Sequence, residues 1–291
     1  ASNYQLPSLD ALNAAVTISQ KTVSLSGSKT YDGGVDLTGS VSLLTGVGSE
    51  TLSYSGATAS AKDVTVSNYI DAITLVDATD GSGGLASNYQ LPSLDALNAA
   101  VTINAKTVGL SASRLYDGGV NLTGSDVSIS TGVGSETLSY SGATVSAKDV
   151  TVSNKYIDAI TLVDATDGSG GLVTNYQLPS LDALNAPVTI TAKTVGLLAN
   201  RIYDGSLNLS GADVTITTGV GSETLSYSGA SASAKDVSVS HKYINGLTLG
   251  DATDGSGGLA GNYQLPSLDA VNAPVSIGTR EVSLSGSKTY D

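Results

Sequence analysis

The chain has 291 residues, and its 13 basic against 26 acidic side chains give a formal net charge of -13. This acidic character argues against nucleic-acid binding and against membrane-surface binding, because phosphate backbones and anionic lipids attract basic proteins. The absence of cysteine excludes disulfide frameworks and thiol chemistry, and no apolar run is long enough to cross a bilayer.

Two markers, Tyr-Asp and Asn-Tyr-Gln-Leu, recur along the chain in steps of 85, 87 and 87 residues, as in a tandem array. Cutting before each V-[TS]-I motif gives repeats at 16–100, 101–187 and 188–274. Residues 1–15 then end a preceding repeat, and residues 275–291 begin a following one. We therefore expect the chain to be an internal fragment. All 14 tyrosines fall at four positions of the repeat, which indicates a framework role.

Within each repeat, apolar residues alternate with small polar ones, as is typical of half-buried strands. In repeat 1 the alternating pairs are Val23 and Leu25, Val35 and Leu37, Leu52 and Tyr54, Val64 and Val66, Ile73 and Leu75, and Tyr89 and Leu91. Glycine-rich turn motifs separate them, notably YDGG from Tyr31 and TGVGSE from Thr45. The pattern predicts an aliphatic and tyrosine core in which Leu52 and its copy Leu138 are buried.

One segment, LPSLDALNA, has helical spacing, and it predicts a short helical turn that starts near Ser8. Repeat 1 also lacks two residues, which align with Asp126 and Lys155 of repeat 2. Because an extra residue inside a paired strand would exchange its two faces, both positions are predicted to be turns or bulges.

The segment DATDGSGG, present in every repeat, offers two interpretations. Its aspartates could supply the oxygen ligands that calcium requires, at Asp77, Asp80, Asp164, Asp167, Asp251 and Asp254. The spacing does not fit an EF-hand or a nonapeptide β-roll, and no closing bidentate Glu is present. We therefore favour a mobile hairpin connection with solvated acidic residues, and expect no metal or other cofactor.

Other candidate groups also favour structural roles. Asp32 and its copies Asp117 and Asp204 precede glycine, as in ordinary turns. His241, the single histidine, aligns with Asn154, so a chemistry common to all repeats cannot depend on it. Recurring lysines (Lys62, Lys148 and Lys235) are interpreted as solvated, and Tyr54 as buried framework instead of a sugar-stacking ring. No catalytic residue is predicted, and we do not expect an enzyme.

The motif order KTYDGG, TGVGSETLSYSGA, AKDV, ITLVDATDGSGGLASNYQL and AAVTI resembles the YDG-type (MBG-like) repeats of large bacterial surface adhesins, many of them filamentous-haemagglutinin-like. The resemblance covers every repeat, and its most diagnostic motifs are Tyr31-Asp32-Gly33 and Asn88-Tyr89-Gln90-Leu91. It implies a β-rich module of exported proteins, outside the bacterial cell, with no catalytic residues. The loop DATDGSGGLAS is longer than the turn expected in that family.

These observations predict an all-β chain of tandem small antiparallel β domains, stacked end to end into an elongated rod. The expected function is that of a structural stalk in an adhesin or biofilm-matrix fibre, projecting an adhesive tip from the cell surface. Its partners would be neighbouring repeats and other copies of the rod, with no nucleic acid and no membrane insertion. The alternative is a repeated binding array for glycan, protein or neighbouring copies, with or without calcium.

Overall fold

The computed structural model describes residues 3–65 and 67–290, and a set of seven strands recurs three times in it in the same order. We call each set a module. Module 1 contains β1 (Lys21–Thr22), β2 (Ser24–Thr30), β3 (Val41–Leu44), β4 (Ser53–Ala59), β5 (Ile70–Val76), β6 (Tyr89–Gln90) and β7 (Val101–Asn104). Module 2 contains β8 (Lys106–Thr107), β9 (Gly109–Leu115), β10 (Val127–Ser130), β11 (Ser139–Val145), β12 (Ile157–Val163), β13 (Tyr176–Gln177) and β14 (Val188–Thr191). Module 3 contains β15 (Lys193–Thr194), β16 (Gly196–Ile202), β17 (Val214–Thr217), β18 (Ser226–Ala232), β19 (Ile244–Gly250), β20 (Tyr263–Gln264) and β21 (Val275–Gly278).

The helical elements are single 3₁₀ turns: Ala86–Asn88, Gly124–Asp126, Val173–Asn175, Gly211–Asp213 and Ala260–Asn262. None of the helices in residues 3–65 and 67–290 has the length and apolar character needed to cross a membrane. The all-β prediction is therefore confirmed.

The sheets are small and mixed. In module 1, β3-β2-β7 form a three-stranded sheet, while β4-β5 and β1-β6 form pairs. The β2–β3 and β4–β5 pairs are antiparallel, but β2–β7 and β1–β6 are parallel. The prediction of purely antiparallel domains is thus wrong, because the last strand of a module returns beside its first long strand in the same direction. Modules 2 and 3 repeat this strand order.

The V-[TS]-I motif begins a sequence repeat, but in the structure it forms the last strand of the preceding module and completes that module's three-stranded sheet. Val101 of β7 pairs with Gly27 of β2, and Val188 of β14 pairs with Ala112 of β9. The repeat boundaries therefore mark the sequence period and not a break between sheets. A single residue joins successive modules: Ala105 lies between β7 and β8, and Ala192 between β14 and β15.

The chain divides into two compact units, and the division passes through module 2. The first unit contains module 1 with residues 106–108, 130–139 and 162–178. The second contains the rest of module 2 together with module 3.

The core of a module receives side chains from both larger sheets. In module 1, Leu25 of β2 and Val101 of β7 are buried, as are Ala57 of β4 and Ile70 of β5. Leu37, which precedes β3, is fully buried. The predicted aliphatic and tyrosine composition of the core is therefore confirmed.

Leu52 and Tyr54 are half-buried and lie outside this core, so the prediction that they are buried framework is wrong. The reason is an irregularity in the β4–β5 pairing between Ser55 and Thr58. Gly56 lies there with a φ of 60°, which glycine adopts without strain. An extra residue in a strand reverses which of its side chains point into the core. The alternation that places Leu52 and Tyr54 on one face therefore does not continue, and the buried residues of β4 are Ala57 and Ala59.

Two other strand predictions differ from the structure. Val35 and Leu37 flank only an isolated bridge, Asp36 to Thr58. Val64 lies in a loop, and Val66 lies outside the described residues. The LPSLDALNA segment forms one turn and no helix, since the carboxylate of Asp95 accepts hydrogen bonds from the following backbone N–H groups at 2.9 Å.

The insertion points behave as predicted. Asp126 ends a 3₁₀ turn before β10, and its carboxylate accepts the Thr123 N–H at 2.9 Å. Lys155 lies in the loop before β12. Its Nζ donates to the Val150 carbonyl at 3.1 Å. In module 1 the side-chain amide of Asn68 has this role and donates to the Asp63 carbonyl.

Candidate functional site: the junction between modules

In each DATDGSGG loop, both aspartates accept hydrogen bonds from nearby residues of the same module. Thr51 donates from Oγ1 to Asp80 at 2.6 Å, and Asp77 accepts the Ala86 N–H at 2.8 Å. The copies match: Asp167 accepts from Thr137 and Asp254 from Thr224, both at 2.7 Å, while Asp164 accepts the Val173 N–H and Asp251 the Ala260 N–H. The loop leads from β5 to a 3₁₀ turn and strand β6, which does not pair with β5, so it is not the predicted hairpin connection.

These hydrogen bonds occupy the carboxylates that a metal would need. Donors from Thr51 and Ser82 lower the pKa of Asp80 to about 2, and the copies Asp167 and Asp254 are lowered in the same way. Within residues 3–65 and 67–290, no group of three or more His, Cys, Asp or Glu is placed to hold an ion. We expect the melting temperature to be the same in calcium and in chelator, since a ligand of the folded state would raise it.

A buried cation holds the YDGG turn that contains Asp32. Lys29 Nζ lies 2.7 Å from the Asp32 carboxylate and donates to the carbonyls of Gly34 and Asp36. Arg114 makes the corresponding ion pair with Asp117 at 2.8 Å, and Arg201 pairs with Asp204. The aspartate also accepts the N–H of the residue two positions on, so its role is to shape the turn. His241, at φ 56°, is an exposed turn residue as predicted.

Motifs from successive repeats meet at a junction. We call the YDGG turn and the AKDV loop the tip of a module. We call the TGVGSE turn and the Asn-Tyr of NYQL the socket of the next module. The first unit holds one junction, between the tip of module 1 and the socket of module 2.

Glu136 is the centre of that junction. Tyr31 of module 1 donates from Oη to Glu136 Oε1 at 2.8 Å, and Tyr176 of module 2 donates to Oε2 at 2.7 Å. The two rings meet edge to face, with centroids 5.4 Å apart and planes at 79°. Lys62 Nζ lies 3.4 Å from Oε1. One carboxylate therefore binds groups from both modules.

Asn175 makes a second connection. Its amide donates to the Asp63 carboxylate at 2.7 Å, and its carbonyl accepts the Val64 N–H at 2.8 Å. Asn175 is fully buried, so both of its polar groups need these partners. The AKDV loop, which the sequence presented as a strand with a solvated lysine, is thus the surface on which the next module packs.

Close packing completes the junction at Gly33. A Cβ at this position would lie 2.8 Å from Cγ1 of Val133, and the residue has a φ of 82°. Glycine is required there both by backbone conformation and by contact. Val133 itself is held by Thr131, whose hydroxyl donates to the Glu136 carbonyl at 2.7 Å and accepts the Val133 N–H.

The second unit contains the same junction between modules 2 and 3. Glu223 accepts from Tyr116 at 2.9 Å and from Tyr263 at 2.6 Å, and the rings lie edge to face at 5.5 Å. Asn262 donates to Asp149 and accepts the Val150 N–H, both at 2.8 Å, and Lys148 lies 3.9 Å from Glu223. The geometry of the first junction therefore recurs.

The electrostatics of the junction favour an ionised glutamate with neutral tyrosines. Burial raises the pKa of Glu136, but hydrogen bonds from Tyr176 and Tyr31 and the charge of Lys62 outweigh it, so the pKa lies below its usual range. Burial and the neighbouring carboxylate raise the pKa of Tyr31, Tyr176, Tyr116 and Tyr263. The arrangement binds successive modules to each other.

Sequence reasoning identified the tyrosines as framework but missed the glutamates and asparagines. A signal was present, since glutamate occurs at one position only of each complete repeat, in TGVGSE. What the sequence did not show is that this motif contacts the YDGG motif of the preceding module, 105 residues earlier.

Comparison with known proteins gives no further assignment, since no family model, curated protein or solved structure matches the chain. The resemblance to YDG-type adhesin repeats therefore stays a prediction.

Proposed function

We propose that the chain is a stalk segment of a large exported bacterial adhesin or biofilm-matrix fibre, holding an adhesive tip away from the cell surface. The observation that carries this proposal is the recurrence of one junction, with a glutamate bound from both sides and a linker of a single residue. A spacer requires modules that resist bending at their connections. A one-residue linker leaves little slack, and contacts between neighbours stabilise both modules in a repeat array.

The proposal predicts an elongated, stiff particle. Small-angle scattering of the chain should show a rod. The double variant Asn175→Ala with Asn262→Ala removes a buried connection from both junctions and should give a broader distribution of dimensions. Asn88→Ala is the matched control, because Asn88 has the same place in module 1 but binds no tip and is exposed. A compact globule, or freely jointed beads in the unaltered chain, would contradict the stalk function.

A binding array is the second candidate, and it is favoured by a surface cleft that occurs in module 1 and again in module 3. In module 1 the cleft has a volume of about 560 Å³ and is lined by Leu52, Tyr54 and small polar residues. Its counterpart in module 3, about 510 Å³, is lined by Leu225 and Tyr227. Half-exposed tyrosines beside hydroxyl groups suit a glycan. If the array binds sugars, Tyr54→Ala with Tyr227→Ala should weaken binding on a glycan array without unfolding the chain, since only the copy Tyr140 of module 2 remains.

A further inference from the structure

An exposed asparagine lies in the segment that leads into β10 in module 2 and into β17 in module 3. The segment reads Asn121-Leu122-Thr123 in module 2 and Asn208-Leu209-Ser210 in module 3. Both have the form Asn-x-Ser/Thr with a middle residue other than proline, which is the acceptor sequence for attachment of a sugar to the asparagine amide. Because the motif is short, its place in the fold decides whether it can act as an acceptor.

The fold presents the two polar residues of the motif on one outer face. Leu122 is 2% exposed, while Asn121 and Thr123 on either side of it are exposed. In module 3, Leu209 is 4% exposed between two exposed neighbours. Asn121 forms an antiparallel bridge with Thr144, and Thr123 has extended φ and ψ angles of -136° and 155°. Since extended chain places side chains i and i+2 on the same side, the amide and the hydroxyl both face solvent.

The side-chain amides of both asparagines are free. Arg114 donates to the backbone carbonyl of Asn121, and Arg201 to that of Asn208, but in the described part of the chain neither asparagine side chain makes a hydrogen bond. The junction asparagines differ, since Asn175 uses both polar groups of its side chain. A transferase could therefore reach Nδ2 of Asn121 and Asn208 without breaking a hydrogen bond.

We propose that Asn121 and Asn208 are sites of N-linked glycosylation. Nδ2 forms a bond to C1 of a sugar, and the bond between C1 and the phosphate oxygen of a sugar-diphosphate donor breaks. The diphosphate leaves with the bonding electrons, and the amide loses one proton to a base of the transferase. Attached sugar is bulky and solubilising, and here it would lie beside β10 and β17, the outer strands of their three-stranded sheets. It would hinder pairing of these free edges with another chain.

Module 1 provides a natural control, because Asp36-Leu37-Thr38 replaces the acceptor sequence there. Leu37 is buried between two exposed neighbours, as in the other modules. An aspartate has no amide nitrogen, so this segment should carry no sugar. Asp36→Asn completes the acceptor sequence in the same structural setting and should add a third site.

The test is mass spectrometry of the protein purified from the cells that produce it. After denaturation, cleavage by trypsin gives peptides 30–62, 115–148 and 202–235, each with one of the three segments. Peptides 115–148 and 202–235 should carry sugar, and peptide 30–62 should carry none on its aspartate. Electron-transfer fragmentation identifies the modified residue. Sugars added singly indicate a nucleotide-linked donor and one oligosaccharide of constant mass indicates a lipid-linked donor, and both results support the proposal.

Variants distinguish attachment to the amide from attachment to the many hydroxyl groups of these peptides. Asn121→Gln and Thr123→Ala should each remove the sugar from peptide 115–148, whereas Thr123→Ser should keep it. Peptide 202–235 should stay modified in all three variants and serves as the internal reference. Asn154 and Asn245 are matched controls, because both are exposed but lie outside an acceptor sequence, and neither should carry sugar.

Four results would each overturn the proposal: unmodified peptides 115–148 and 202–235 in the unaltered protein, sugar that persists in Asn121→Gln, sugar on Asn154 or Asn245, or an Asp36→Asn variant that gains none. This inference goes beyond the proposed stalk function and does not rest on it. The two fail separately, because mass spectrometry detects the sugar whatever the shape of the chain and scattering tests its stiffness.

Discussion

At each junction one glutamate accepts hydrogen bonds from tyrosines of two successive modules. These hydrogen bonds are favourable because the glutamate is charged, and a charged acceptor forms stronger hydrogen bonds than a neutral one. Partial burial also reduces competition from water. The chain has four copies of the same tyrosine (Tyr31, Tyr116, Tyr203 and Tyr290). Tyr31 and Tyr116 each bind a glutamate of the next module, and Tyr203, which does not, serves as the control.

Tyr116→Phe should destabilise the second unit by about 1.5 to 3 kcal/mol, the range for a hydrogen bond to a charged group. The change removes the hydroxyl that donates to Glu223 and leaves the ring contact with Tyr263 in place. Tyr203→Phe should have almost no effect, because the Tyr203 hydroxyl makes no hydrogen bond in the described part of the chain. Urea unfolding followed by circular dichroism measures both. Equal losses for the two variants would show that the tyrosine acts only within its own module.

At the scale of the strand, glycine in β4 determines which side chains enter the core. The alternation of Leu52 and Tyr54 with serine correctly predicted a strand, but the bulge at Gly56 moves the buried face to Ala57 and Ala59. An isolated glycine within a strand pattern is the sequence signal of such a bulge. The parallel partner of β2 was not predictable from local pattern, because Val101 lies 74 positions after Gly27 and periodicity says nothing about pairing.

Leu37→Ala should therefore destabilise module 1 by about 2 to 5 kcal/mol, as expected for a fully buried leucine. Leu37 is 0% exposed, whereas Leu52 is half-buried beside the surface cleft. Leu52→Ala should cost clearly less, since its side chain loses fewer contacts and leaves no closed cavity. Thermal and chemical unfolding of the two variants compare them directly. A larger loss for Leu52→Ala would contradict the position of the core derived from the bulge.

The acidic loops should open in acid. The pKa of Asp167 is lowered to about 2 by hydrogen bonds from Thr137 and Ser169, and an unperturbed aspartate has a pKa of about 3.9. A lowered folded-state pKa stabilises the fold above the unfolded value, and this stabilisation is lost as the pH falls from about 3.9 through about 2.

Hydrogen exchange at the Ser169 amide, which donates to Asp167, reports this opening when rates are corrected for their intrinsic pH dependence. Protection should decrease between pH 4 and pH 2, while the Asp167→Asn variant should show no such decrease. Unchanged protection at low pH in the unaltered chain would mean that the carboxylate does not hold the loop.

At the scale of the whole molecule, the sequence period predicted the number of modules, and the contacts that hold the modules together lie at long range. From the sequence, each motif was interpreted separately as a turn, because its glycine and aspartate residues are typical of turns. They also have a long-range role, since the tip of module 1 contacts the socket of module 2 and the tip of module 2 contacts that of module 3. These contacts join residues about 110 positions apart, such as Asp63 and Asn175.

Because neighbouring modules contact each other, we expect the stability of the chain, as well as its length, to increase with the number of modules. Inserting a further copy of residues 106–192 adds one module, one linker and one junction. In a repeat array whose stability is a sum of module and interface terms, the added interface raises the midpoint of unfolding. The maximum dimension measured by small-angle scattering should increase by the same amount for each inserted copy. The control is an insert that carries Asn175→Ala at its own socket, which should lengthen the particle but raise the midpoint less. Constant midpoints across the series would show that the modules fold independently, and the junctions would then contribute too little to stiffen a stalk.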